Sequence, residues 1–205
     1  DVLSGERYSI LDENHYFRAY YYYTKSGNKA QVRDTALWIA DNFYDNNTRS
    51  IYDEDDLERM GNLDPLFVVD KDNFANALKW YHVIYQMDVD EPNEEDEYND
   101  SQGSHEVAAY WIAHMYENGE GTAKDHEKAL TYYSTVFDSK YVSKQYKFEA
   151  AKVISDDILA KDNTSSEAEK YHAAMKEWCE SHSFAFDIEH GVIERNSEFA
   201  QKNKQ

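Results

Sequence analysis

Apolar residues recur along this chain at intervals of three and four, the spacing of one helix face. They do so in short runs, not in one long one. ALWIADNFYDN, residues 36–46, puts Ala36, Ile39, Ala40 and Phe43 on a single stripe. AYWIAHMYENG, residues 109–119, repeats the pattern, with Ala109, Trp111, Ile112, Ala113 and Tyr116 standing opposite Ala36, Trp38, Ile39, Ala40 and Phe43. NALKWYHVIY (76–85) and KALTYYSTVF (128–137) form a second matching set. RAYYYYTKSG (18–27), centred on Ala19, Tyr22 and Tyr23, is a looser copy, as is EAEKYHAAMKEW (167–178), with Ala168, Tyr171 and Met175 in line. QYKFEAAKVISDDI (145–158), with Ala150, Ala151 and Ile154 inward, supplies the partner of the last copy.

The order predicted is helix pair after helix pair. Asn118-Gly119 offers a left-handed stop to one helix and Asp125 a cap to the next, a helical hairpin with Ala129, Tyr132 and Tyr133 facing inward. Thr164-Ser165-Ser166-Glu167 carries a Ser/Thr cap with an acid three residues later. Two connections exceed the usual helix-to-helix length. In 46–69, Leu57, Met60, Leu63, Leu66 and Phe67 suit a short helix packed on the core; the other runs over 88–104 and holds eight acids and no base. Residues 183–201 read as a closing helix interrupted near Gly191. The expectation is an all-α fold, one domain over 1–205. It comprises a degenerate pair at about 12–45, the best repeats at 70–137, a degenerate pair at 142–181 and the closing helix.

At AAYWIAHMYENGEGTAKDHEKALTYY the chain resembles the Sel-one-like repeat family, relatives of the tetratricopeptide repeats. The resemblance rests on Ala109, Ile112-Ala113, Tyr116, Asn118-Gly119-Glu120-Gly121, Asp125, Lys128-Ala129 and Tyr132-Tyr133, and covers about 30 residues. The earlier unit keeps Ile39-Ala40, Ala77-Leu78 and Trp80-Tyr81 but lacks the Asn-Gly-x-Gly turn. Ala40 and Ala113 stand where the family often has Gly. The resemblance implies an α-solenoid of stacked antiparallel helix pairs, used as a binding scaffold without catalysis. Elementary physics favours the same design, since a lone hairpin buries too little and must stack on neighbours. The tyrosine-rich faces are then core.

Composition narrows the partners. With 21 basic and 41 acidic residues the net charge is −20, which opposes an unaided grip on nucleic-acid phosphates or an anionic membrane and favours a basic protein surface. No run approaches the length of a membrane-spanning helix. Cys179 stands alone, so no intrachain disulfide or multi-cysteine zinc site forms. HEVAA (105–109) lacks the second histidine of a zinc-protease motif, and DVDEPNEEDEYN (88–99) departs from a calcium loop at Asn93 and Asn99. Asn46-Asn47-Thr48 and Asn163-Thr164-Ser165 match glycosylation acceptors that matter only in a eukaryotic secretory route. No metal, no cofactor and no catalytic constellation is expected. The first residue, Asp1, is the start expected of a processed, exported protein, periplasmic or secreted, with the cytoplasm as the alternative.

In the family the first helices line the concave face, which makes Asp34, Trp38, Asp41 and Asp45 one candidate partner-binding stripe. Repeat equivalence carries it to Val107, Trp111, His114 and Asn118, with Tyr110 and Glu117 beside them, and Tyr110, Trp111, His114 and Glu117 are the candidates there. Aromatic anchors ringed by acids suit a cationic partner; the competing role for Trp38 and Trp111 is to fill the seam between helices. The function expected is non-catalytic protein binding, in one version that of an exported bacterial immunity protein neutralising a secreted antibacterial effector. An adaptor in envelope or endomembrane complexes, a cell-wall hydrolase and an acidic nucleic-acid mimic are the alternatives.

Overall fold

A computed structural model describes residues 15–87, 103–162, 165–181, 184–186 and 193–195. Eight α-helices appear among them: α1 Tyr16–Ser26, α2 Lys29–Tyr44, α3 Glu54–Leu63, α4 Asn73–Gln86, α5 Ser104–Asn118, α6 His126–Asp138, α7 Lys144–Lys161 and α8 Glu169–Ser181. The chain divides into two compact units, Asp1–Ala129 and Leu130–Gln205. The acidic segment 88–102, with its calcium-loop likeness, lies outside the described residues, as do Asn163 and Thr164.

Local chemistry sets the helix ends. The side chains of Asn28, Asp72 and Ser143 accept hydrogen bonds from the first turns of α2, α4 and α7, and Asp125 Oδ1 accepts from Lys128 N at 3.1 Å as α6 begins. Such caps satisfy amides that a helix start otherwise leaves without partners. At the C-termini, α1 ends at Gly27 (φ 72°) and α5 at Gly119 (φ 76°), both left-handed. The chain turns after α2 through Asn46, the one non-glycine residue with positive φ (57°) among the described residues. Asn46 N donates to Phe43 O and Asn47 N to Asn42 O, the paired bonds of a Schellman stop. Asn46 and Gly119 are aligned positions in the two matching sequences. Asparagine is the residue that best replaces glycine in this conformation.

The first unit is built on α2, which packs against α1, α4 and α5; α4 also packs against α5. The 46–69 insertion closes the core between α2 and α4. Its Ile51 carbonyl accepts from Phe17 N at 3.1 Å at the start of α1. Met60 and Phe67 are buried, whereas Leu63 is exposed, so α3 contributes only part of the apolar set expected of it. Phe67 meets Phe17, Tyr20 and Trp80 in an aromatic core whose ring centroids lie 4.9 to 6.1 Å apart. Offset and edge-on rings at such distances attract beyond simple burial. In α1 the buried residues are Phe17, Ala19 and Tyr20, and Tyr22 is exposed. The expected stripe through Tyr22 and Tyr23 is therefore out of phase, because four consecutive tyrosines give every helical phase an aromatic.

In the second unit α7 packs on α8. Ala150, Ala151 and Ile154 of α7 are buried, as are Ala168, Tyr171 and Met175 on the last copy. The closing helix expected over 183–201 is not what its described residues form. Phe184–Phe186 and Ile193–Arg195 pair instead as a two-stranded antiparallel ribbon, β1 and β2, with Ala185 opposite Glu194. β1 packs against α8. Alternating FAF and IER segments around Gly191 fit a hairpin better than a helix.

Gly121 marks the tightest approach in the first unit. It has φ +66°, and a Cβ placed on it overlaps the backbone of Phe74 and Ala75 at the start of α4. At Gly119 a Cβ meets Lys124 only at ordinary contact distance, 3.4 Å. Gly121→Ala is therefore expected to destabilise the fold by about 3 kcal/mol or more, and Gly119→Ala by about 1 kcal/mol, the cost of left-handed φ alone. Urea midpoints of the two variants measure the difference, and equal losses contradict the close seat on α4.

Candidate functional site

The C-terminal turn of α2, the body of α5 and the turn after it converge on one cluster of rings and carboxylates. Trp111 on α5 is half-buried; its ring lies 4.7 Å from Tyr44, 5.4 Å from Tyr110 and 6.1 Å from Tyr81, nearly parallel to the last. Tyr44 also meets the exposed Phe74 edge-on at 5.3 Å. Helical spacing explains the gathering: Asp41, Tyr44 and Asp45 fall on successive turns of α2, and Tyr110, Trp111 and His114 on one side of α5.

The tyrosine hydroxyls aim at the acids. Tyr81, fully buried on α4, donates to Asp41 Oδ1 at 2.7 Å. Tyr44 Oη donates to Glu120 Oε2 at 3.1 Å and lies 3.4 Å from His114 Nδ1. Burial pushes the Asp41 carboxyl above the usual carboxylate range; the Tyr81 bond pulls the other way and Asp45 adds to the rise. Burial, then the Glu120 hydrogen bond and charge, push the Tyr44 hydroxyl up to about 12. Tyr81 is raised further, by burial first and Asp41 second. Both phenols thus remain donors throughout the neutral range.

The last turn of α2 holds no basic residue, so Asp41 and Asp45 sit at the negative end of the helix dipole. Asp45 is exposed, and among the described residues neither lysine nor arginine pairs with Asp41, Asp45 or Glu120. An uncompensated negative end of this kind attracts a cation from outside.

Of the candidate stripe, Asp41, Asp45, Tyr110, Trp111 and His114 come together here. Tyr110, expected at the surface, is buried at 8% exposure and acts as packing behind Trp111. Trp38 stands apart, stacked on Tyr16 with centroids 3.5 Å apart. Asp34 is exposed nearer the start of α2. Glu117 belongs to the hairpin instead, 2.5 Å from His126 Nδ1 and 3.9 Å from Lys124 Nζ. Tyr44, Tyr81 and Glu120 were not foreseen. Tyr44 was legible as the aromatic between Asp41 and Asp45; no local signal marks Tyr81 or Glu120, whose partners lie 40 and 76 positions away.

Other chemistry is sparse. Ser155 Oγ and His172 Nε2 lie 2.7 Å apart, but Ser155 is 1% exposed within the α7–α8 packing, which closes its hydroxyl to a substrate. A cavity of about 200 Å³ at the α1–α2 turn, lined by Thr24, Gly27, Lys29, Val32, Arg33 and Met87, falls below the roughly 300 Å³ at which small-molecule sites begin. No group of three or more metal-ligating side chains occurs among the described residues, and no described helix is long and apolar enough to cross a membrane. Comparison with protein-family models, curated proteins and solved structures yields no match.

The Asp41–Tyr81 bond separates two roles for this carboxylate. Asp41→Asn keeps an acceptor for the buried hydroxyl and removes a charge that burial disfavours, so unfolding at neutral pH is expected to stay within about 0.5 kcal/mol of wild type. Asp41→Ala leaves Tyr81 without its acceptor, at a cost of about 1 to 3 kcal/mol. Equal losses in the two variants contradict this division.

Stability also depends on pH through His82 and His105, both held below the ordinary imidazole range by burial first. The unfolded chain binds these protons near pH 6.5 while the folded chain resists them, so their contribution is present above about pH 6.5 and is lost as pH falls below it. Asp41 has the opposite sign, but acts only as pH falls toward its raised carboxylate range. Urea midpoints are expected to drop between about pH 7.5 and 5.5, less so in His82→Gln; a flat profile contradicts the burial argument.

Proposed function

We propose that this protein is a non-catalytic helical-repeat scaffold that binds a basic surface of another protein through the Asp41–Tyr44–Asp45, Trp111–His114 and Glu120 face. One observation carries the proposal: carboxylates without lysine or arginine partners surround half-buried aromatic rings at the negative end of α2, and tyrosine hydroxyls aim two of those carboxylates. Charge complementarity of this kind steers association and selects partners, while a partly exposed aromatic supplies the anchor.

The packing of helix on helix supports the proposal. Left-handed residues at the aligned positions Asn46 and Gly119, and the packing of α2 against α4 and of α4 against α5, are what stacked Sel-one-like pairs require. In the version we favour, the protein is an exported immunity protein whose partner is a secreted antibacterial effector, an assignment that follows from the family resemblance and the acidity of the chain.

Asp45→Lys is the discriminating variant. The residue is exposed at a helix C-terminus, where a cation complements the dipole, so loss of binding is not a consequence of unfolding. Capture from a native extract is expected to give a stoichiometric partner that Asp45→Lys weakens at least about tenfold and that high salt releases. Protection of cells from that partner's toxicity supports the immunity role, and a harmless membrane complex supports adaptor work. A partner held equally by Asp45→Lys removes this face from the interaction.

A further inference from the structure

Phe74, on the first turn of α4, leaves an aromatic ring 38% exposed within the acidic face, whereas its neighbours Tyr44 and Trp111 are half-buried. Two other chain segments meet it there. The end of α2 is tied to the start of α4 where Asn73 Nδ2 donates to Asn46 Oδ1 at 2.5 Å. The turn after α5 lies on the same place, since a Cβ on Gly121 overlaps the Phe74 backbone. Phe74 meets Tyr44 edge-on at 5.3 Å and Tyr44 meets Trp111 at 4.7 Å, so the aromatic surface continues inward from its most open ring.

Each of the three segments brings a carboxylate to these rings. Asp45 ends α2 and is exposed; Asp72 is exposed at the cap of α4, where its Oδ1 accepts from Phe74 N at 2.9 Å. Glu120, on the turn, is 26% exposed and its Oε2 is held by the Tyr44 hydroxyl. Glu120 and Asp45 both act electrostatically on that hydroxyl, which places both charges at the Tyr44 end of the row.

The chemistry of this surface distinguishes the two basic side chains. A lysine ammonium is a compact, strongly hydrated charge that needs oxygens on several sides. The carbonyls at the end of α2 are already engaged: Asp41 O accepts from Asp45 N, Asn42 O from Asn47 N and Phe43 O from Asn46 N. A guanidinium is flat and weakly hydrated, stacks on rings and offers paired N–H groups to one carboxylate. Rings rimmed by carboxylates, with the nearby carbonyls taken, suit the guanidinium.

We propose that the acidic–aromatic face selects arginine over lysine: a guanidinium lies on the Phe74 and Tyr44 rings and pairs with Glu120, with Asp45 as the second charge beside it. The selection rests on the binding role proposed above and names the partner side chain that the role requires.

The test uses the full chain and two peptides of equal length and charge, one rich in arginine and the other with lysine at each of those positions. Wild type, Phe74→Leu, Phe74→Trp, Tyr22→Ala and Asp45→Lys are compared. Phe74→Leu keeps apolar bulk and removes the ring, Phe74→Trp restores one, and Tyr22 is an exposed aromatic on α1, away from this face. Wild type, Phe74→Trp and Tyr22→Ala are expected to bind the arginine peptide at least about tenfold more tightly than the lysine peptide. Phe74→Leu is expected to cut that preference at least about threefold. Equal affinity of wild type for the two peptides, with both weakened in Asp45→Lys, overturns arginine selection and leaves the binding role standing. A preference that persists in full in Phe74→Leu overturns the ring-stacked pose. Peptide binding that is absent, or that Asp45→Lys does not weaken, overturns the binding role and the selection with it.

Discussion

The first unit depends on how closely the turn after α5 seats on the first residues of α4. Helices of ten to sixteen residues, as in α1 to α5, bury too little surface to persist alone. Their stability comes from docking, and docking requires that the chain reverse within a few residues at a fixed angle. Gly119 supplies the reversal, and Gly121 lets one backbone lie directly on another. Asp125 N then donates to Tyr116 O at 2.9 Å and closes the turn. Glu120 lies between the two glycines, so the close approach that fixes the fold also brings a carboxylate to the Tyr44 hydroxyl on α2.

This explains why the best-conforming stretch of sequence and the candidate site overlap. The turn fixes α4 and α5 relative to each other, and α4 brings Tyr81 under Asp41. The hydrogen bond from Tyr81 holds that carboxylate in place although burial disfavours its charge. A carboxylate kept ionisable beside Asp45, at the negative end of a helix, costs stability in the isolated chain. In the binding role proposed here, a cation held at that site relieves the cost.

Helix positions and end signals were legible in the sequence because they are local. Asn118-Gly119, Asp125 and the Ala-aromatic stripes of α2, α4, α5 and α7 each depend on residues within a turn or two. The ribbon at 184–186 and 193–195 was misread as a helix because short apolar segments around a glycine suit both periods. The phase of α1 was lost in its run of tyrosines. Among the site residues, Asp41, Asp45, Trp111 and His114 were legible as one stripe by repeat equivalence. Tyr81 and Glu120 were not, since their roles depend on contacts across 40 and 76 positions of chain.

The same distinction assigns the aromatic residues. Trp80 and Trp111 occur in similar surroundings of Ala, Ile and Tyr, yet Trp80 is fully buried in the Phe17–Phe67 core and Trp111 is half-exposed beside His114. The 46–69 insertion lays Phe67 on Trp80 of α4, whereas Trp111 belongs to α5, which the short 119–125 turn joins to α6. Where the insertion is present the aromatic ring becomes core. On the side of the short turn, Trp111 stays partly open beside Tyr44, whose hydroxyl donates to Glu120.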